Sequence, residues 1–175
     1  THGVRVCGHP CGAYGVLWMA VVRSAVSLAP AARAAIRSNA GWDTVKYRDF
    51  LREKAELFHS KGIRVSIFVN PDIEMVRGAV ACGTDRIELY TEAYASGYAA
   101  DREAAIRDYV AAAEEAQRLG LGVNAGHDLN LDNLRYFISR IPFTAEVSIG
   151  HALISDALYL GLETTVPRYL EEVHG

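Results

Sequence analysis

Three short stretches carry the residues best suited to chemistry. In Val123-Asn124-Ala125-Gly126-His127-Asp128-Leu129-Asn130, an apolar run closes on a glycine and a histidine. An imidazole in that position titrates near neutral pH and can exchange a proton with a substrate. In Arg86-Ile87-Glu88-Leu89-Tyr90-Thr91, Glu88 lies between two apolar residues. Inside a strand it points opposite to both, where a buried carboxylate requires a partner. Its functional reading is stabilisation of a cationic amine or iminium, or proton exchange at a raised pKa. Its structural reading is an ion pair with Arg64 or Arg86. Gly150-His151 leads directly into a helical pattern. Backbone N–H groups and the helix dipole can receive an anion there, or Gly150 makes a tight turn that His151 caps. Asn70, Asp72, Thr91, Glu92 and Asn124 occupy comparable places at or after apolar runs.

These residues need elements that bring them to one end. Apolar, β-branched runs predict strands at 64–69, 86–90, 121–124 and 146–149. Helical spacing predicts helices at 47–61, 72–81, 101–119, 131–140, 152–160 and 164–173, with Pro71 suited to a helix start and Pro167 bending or opening the last. Asp128 or Asn130 is placed to cap the helix near Leu131. Residues 91–100 read as a loop whose tyrosines, with Tyr90, line a pocket mouth or pack. His59 and His174 read as solvated surface. Four strand–helix units imply βαβ connections and a parallel sheet, with ligands at the carboxyl ends of the strands. Half of an eight-stranded barrel and a small doubly wound sheet both fit this pattern.

With 175 residues the chain can form one domain with a real core. Its net charge of −3, without a run of lysine or arginine, argues against nucleic acid as a partner. Cys7, Cys11 and Cys82 are too few for a disulfide framework and fit a reducing cytosol. Cys7 and Cys11 with His2 and His9 match half a zinc site, but no second ligand pair follows, so chance is the preferred reading. No apolar run reaches ~18 residues, so no membrane span is expected. Residues 15–22 are apolar but lack the basic lead of a signal peptide. Walker, Gly-x-Gly-x-x-Gly and serine-elbow motifs are missing. The expected chemistry is therefore acid–base catalysis on an anionic substrate, without cofactor or metal. Residues 1–38 differ in character, with a short strand at 26–30 and a helical turn at 31–37. The first residue is Thr1, as in a fragment.

The two strand-end stretches above, with Ser148-Ile149-Gly150-His151-Ala152-Leu153-Ile154, Gly41-Trp42-Asp43 and Arg64-Val65-Ser66-Ile67-Phe68-Val69, resemble pyridoxine 5′-phosphate synthase over residues 39–175. The resemblance implies a (β/α)8 TIM barrel, of which the four strands would be strands five to eight. It implies condensation of 3-amino-2-oxopropyl phosphate with 1-deoxy-D-xylulose 5-phosphate, giving pyridoxine 5′-phosphate, phosphate and water. On that basis His127 is a general acid in ring closure, and Glu88 stabilises the transition state. Asp128, Gly150 and His151 hold the amino-ketone phosphate. Other members carry glycine where Asp128 stands, and a backbone contact is compatible with that change. The partners implied are small phosphorylated substrates and further copies in a homo-oligomer, in the cytoplasm.

The resemblance leaves the family's first three strands, with their catalytic groups, unplaced. The family's strand-three glutamate would fall near Cys7, and its xylulose-phosphate threonine near Arg37 or Ser38. The expectation is a truncated copy whose residues 1–38 are read in another frame, followed by the barrel portion at 39–175. Such a barrel would be incomplete, with open edges at its strands five and eight. The alternative function is a catalytically inactive phosphate-binding fragment. An unrelated barrel aldolase is disfavoured because no lysine sits inside a clear strand.

Overall fold

The computed structural model describes residues 3–5, 17–19, 25–30 and 40–174. Its elements are β1 (Gly3–Arg5), β2 (Leu17–Met19), β3 (Ala25–Pro30), α1 (Arg48–His59), β4 (Arg64–Val69), α2 (Ile73–Ala81) and β5 (Arg86–Tyr90). There follow α3 (Glu92–Arg118), β6 (Gly122–His127), α4 (Leu134–Arg140), β7 (Thr144–Ile149), α5 (His151–Leu160) and α6 (Leu162–His174). The zinc-like group His2, Cys7, His9 and Cys11, the turn expected at 31–37, Arg37 and Ser38 lie outside the described residues.

The strands form one sheet in the order β1-β7-β6-β5-β4-β3-β2. From β3 to β7 every neighbouring pair is parallel, and helices intervene in the chain. This is the α/β architecture of a TIM barrel, present here as an incomplete barrel. Two edges expected to be open are covered. β3 runs parallel along β4, with Ala25 opposite Arg64 and Leu28 opposite Ile67. β1 runs parallel along β7. The described sheet ends instead at β1 and at β2, which is antiparallel to β3. The physical reason at β3 is burial: Val26 and Leu28 are sealed in the same core as Val65, Ile67 and Val69.

Alternation along the strands sorts side chains to two faces. Val65, Ile67, Val69, Ile87, Leu89, Val123, Ala125, Val147 and Ile149 pack under the helices. Each buried valine, leucine or isoleucine among them contributes about 1.5–3 kcal/mol. The opposite face, which would line a barrel, carries Ser66, Phe68, Arg86, Glu88, Asn124 and Ser148 among others. The predicted inward direction of Glu88 is what the flanking burial gives: Ile87 and Leu89 are fully buried on the helix side.

Several elements differ in extent from their sequence reading. The loop expected at 91–100 is helical from Glu92, and it joins the next helix at a kink where Asp101 is extended (φ −157°, ψ 94°). Tyr94 explains this. Its ring is fully buried against Tyr98, Tyr109 and Phe137, and its hydroxyl donates to the Asn133 carbonyl at 2.6 Å. The tyrosine packs rather than lining a mouth. Likewise α4 begins at Leu134, later than expected. The preceding turn is held by Asn130, whose Oδ1 accepts from the N–H groups of Asp132 and Asn133. α2 begins at Ile73, with Asp72 capping it through the Glu74 and Met75 N–H groups.

Candidate active site

β6 continues three residues past its expected end, to His127. Register with β5 extends it: Tyr90 pairs with Gly126. The Gly126 carbonyl accepts from both the Thr91 N–H (3.2 Å) and the Thr91 hydroxyl (2.9 Å). His127 is then carried at φ 111°, the one positive φ outside glycine among the described residues. Such a conformation costs on the order of 1–3 kcal/mol and persists where neighbours over-determine it. The neighbours are visible. The Tyr90 ring meets the imidazole edge-on at 5.1 Å, and His127 Nδ1 lies 2.8 Å from Asp128 Oδ2. Asn133 Nδ2 reaches the Asp128 carbonyl at 3.4 Å.

Glu88 is buried on the inner face of β5. Ser27 of β3 donates its hydroxyl to Glu88 Oε2. The other carboxylate oxygen occupies the space that a β-carbon at position 126 would need, with Ser148 also close. Glycine at 126 leaves room for this carboxylate: a side chain there would displace it. The arginines considered as partners for Glu88 meet another carboxylate. Arg64 contacts Glu146 at 2.8 Å, and Arg86 lies 3.6 Å from Glu146 while donating to Asn124 Oδ1 at 3.0 Å.

Gly150 ends β7 and is the N-cap of α5; its carbonyl accepts from the Ile154 N–H at 3.0 Å. His151 opens that helix, is exposed, and brings its ring centroid to 6.3 Å from that of His127. The parallel register sets this neighbourhood, because His127 lies opposite Ile149. Thus His127, Asp128, Gly150 and His151 meet at the carboxyl ends of β6 and β7, with Glu88 one strand away beneath Gly126.

Other strand-end candidates serve local structure. Asn70 accepts from the Gly41 N–H at 3.0 Å, and Asp72 caps α2. Glu92 accepts from the Ser96 hydroxyl. Asn124 is not at a strand end at all, since β6 runs on to His127. It bonds Arg86 and Glu146, at 3.0 and 3.1 Å, toward the amino end. Ser27 was not anticipated; alternation within 26–30 was its only signal. Among the described residues, no group of three or more His, Cys, Asp or Glu side chains is placed to hold a metal ion. None of the described helices is long and apolar enough to cross a membrane.

A family model described as pyridoxal phosphate biosynthesis protein PdxJ matches residues 14–175. That span takes in β3 and Ser27, ahead of the boundary at Asn39 drawn from the sequence. Pyridoxine 5′-phosphate synthase of Cytophaga hutchinsonii is 53% identical over 173 residues, 99% of this chain and 73% of that protein. The protein of the same name from Porphyromonas gingivalis is 55% identical over 148 residues, 85% of this chain and 62% of its own. The chain thus spans between 62% and 73% of the length of these relatives. Among solved structures, the tryptophan synthase A-subunit of Pyrococcus furiosus matches with a TM-score of 0.53 at 15% identity, covering 86% of this chain and 54% of that one. This likeness concerns the fold alone. The family match runs from β2 to the end of the chain, through every element of the site, and the sequence identity to the curated relatives is above one half: the chain belongs to the PdxJ family of pyridoxal phosphate biosynthesis proteins.

Proposed function

We propose that the chain carries the ring-closing site of a pyridoxine 5′-phosphate synthase. The reaction is condensation of 3-amino-2-oxopropyl phosphate with 1-deoxy-D-xylulose 5-phosphate, with loss of phosphate and water. The observation that carries this reading is the convergence of two histidines, a buried glutamate and a helix start at one end of a parallel sheet. His127 acts as a general acid toward a departing oxygen, for which a strand-end imidazole is suited. The buried carboxylate of Glu88 stabilises positive charge that develops on the amine nitrogen as the ring forms. Gly150 and His151, with the Asp128 backbone, hold the amino-ketone phosphate. The start of α5 favours an anion there through its oriented N–H groups and dipole.

The cytosol suits Cys82, a free thiol that burial pushes up to about 11 and so keeps inert. Association with further copies is supported by Leu158, Tyr159 and Leu162, large apolar side chains exposed around the α5–α6 junction. The test is to supply both phosphates to the purified chain and measure pyridoxine 5′-phosphate. Product that disappears in Glu88→Gln and His127→Ala supports the synthase. No product, with thermal stabilisation by inorganic phosphate, replaces it with a phosphate-binding fragment.

A further inference from the structure

We propose that Asp128 is the positioning residue for His127: its carboxylate holds the ring through Nδ1 and leaves Nε2 to meet substrate. This rests on the reading of His127 as proton donor. The contact is direct, at 2.8 Å between Nδ1 and Oδ2. Both side chains are partly shielded, with the histidine 17% and the aspartate 32% exposed. A carboxylate on one ring nitrogen fixes the tautomer and the orientation of the ring.

Three further observations point the same way. The backbone between the two residues is held from both sides, by Thr91 on the Gly126 carbonyl and by Asn133 on the Asp128 carbonyl. The carboxylate therefore stays with the ring. The strained φ of 111° at His127 turns the chain so that consecutive side chains meet, which an extended strand would send to opposite faces. Finally, a carboxylate aimed at a bound phosphate would repel it, whereas one turned to the ring nitrogen is directed elsewhere. Asp128 can then offer only its backbone to the anion.

The ring also meets Tyr90 from β5 and His151 at the start of α5. In the transfer, the Nε2 proton moves to the departing substrate oxygen and the N–H electron pair remains on the ring. Nδ1–H stays on the Asp128 carboxylate, and water returns a proton to Nε2 after release.

The experiment is proton–nitrogen NMR of the histidine side chains on the labelled chain, with His127 assigned through His127→Gln. The neutral His127 ring of the parent should carry its proton on Nδ1, facing Asp128. Asp128→Ala and Asp128→Leu should move that proton toward Nε2, whereas Asp128→Asn, which keeps an acceptor oxygen, should retain it on Nδ1. Using two apolar substitutions keeps the test valid if one fails to fold. A tautomer unchanged in both Asp128→Ala and Asp128→Leu overturns the proposal. A parent chain that carries the Nδ1–H tautomer but forms no product removes the synthase reading and leaves the positioning pair standing.

Discussion

At the amino ends of β4–β7, Arg64 reaches Glu146 at 2.8 Å across two intervening strands, and Arg86 and Asn124 join the same carboxylate. Arg86 lies over Gly122, where a β-carbon would stand 2.7 Å from its side chain. Nearby, Asp85 accepts from the Val65 N–H and pairs with His59, both at 2.7 Å. At the carboxyl ends the arrangement differs. A histidine with positive φ stands between Tyr90, Asp128 and His151, and the neighbouring Gly126 adjoins a buried glutamate that Ser27 contacts. One end joins opposite charges across strands and fixes the sheet; the other holds titratable groups in a strained backbone. Backbone strain and titratable groups gathered at one end are what support the proposal that function lies there.

Substitutions should separate the two ends. At the amino end the expected effect is on stability alone. Glu146→Gln leaves Arg64 and Arg86 without their shared carboxylate and should cost about 2 kcal/mol, discounted for the partial exposure of Arg64. Denaturant unfolding measures it, and a cost near zero would remove the fastening role. At the carboxyl end, Thr91→Val deletes the hydroxyl bond to the Gly126 carbonyl in a fully buried setting. It should cost about 1–3 kcal/mol and lower turnover as well, because His127 is the next residue. If turnover per folded molecule stays unchanged, the Thr91 bond does not position the histidine.

A smaller effect sharpens the strain argument. His127→Gly should be more stable than His127→Ala by about 1 kcal/mol, since glycine accepts φ 111° without penalty. Equal stabilities would mean that the backbone relaxes once the ring is gone. The smallest effect is acid dependence at Asp85. Burial raises its pKa, but the Val65 N–H and His59 outweigh that and hold the carboxyl below its usual range. A depressed pKa stabilises the fold above the ordinary carboxylate range, and that stabilisation is lost as pH falls through the folded-state value. The stability difference between the parent and Asp85→Asn should therefore shrink in acid; a difference that grows there would reverse the sign.

The sequence disclosed the two ends unequally. β4 and β5 were legible because their β-branched and apolar runs are bounded by turn residues, and alternation alone turned Glu88 inward. The meeting of His127 with His151 followed from both lying at strand ends of a parallel sheet. β6 read as too short because Ala125 and Gly126 have no strand propensity of their own; pairing with Leu89 and Tyr90 supplies the extension. Tyr94 was hidden for a similar reason, since its burial against Phe137 overrides a local composition that reads as loop. Asp101 did mark the start of a helix, and its side chain caps the second half of α3 through the Ala104 N–H. The positive φ of His127 was not legible, because histidine, although enriched at positive φ, adopts negative φ in most of its occurrences. Nor could spacing show that Asp128 would turn back to its neighbour.

The central claim is that chemistry belongs to the carboxyl end and fastening to the amino end. The most direct measurement is pyridoxine 5′-phosphate formation from the two substrate phosphates by the parent, His127→Ala and Glu146→Gln, each corrected for its folded fraction. The account predicts turnover reduced by about 10²–10⁴-fold in His127→Ala, the range for loss of a general acid, and near the parent value in Glu146→Gln. Equal losses in both variants, or turnover that survives without His127, would contradict it.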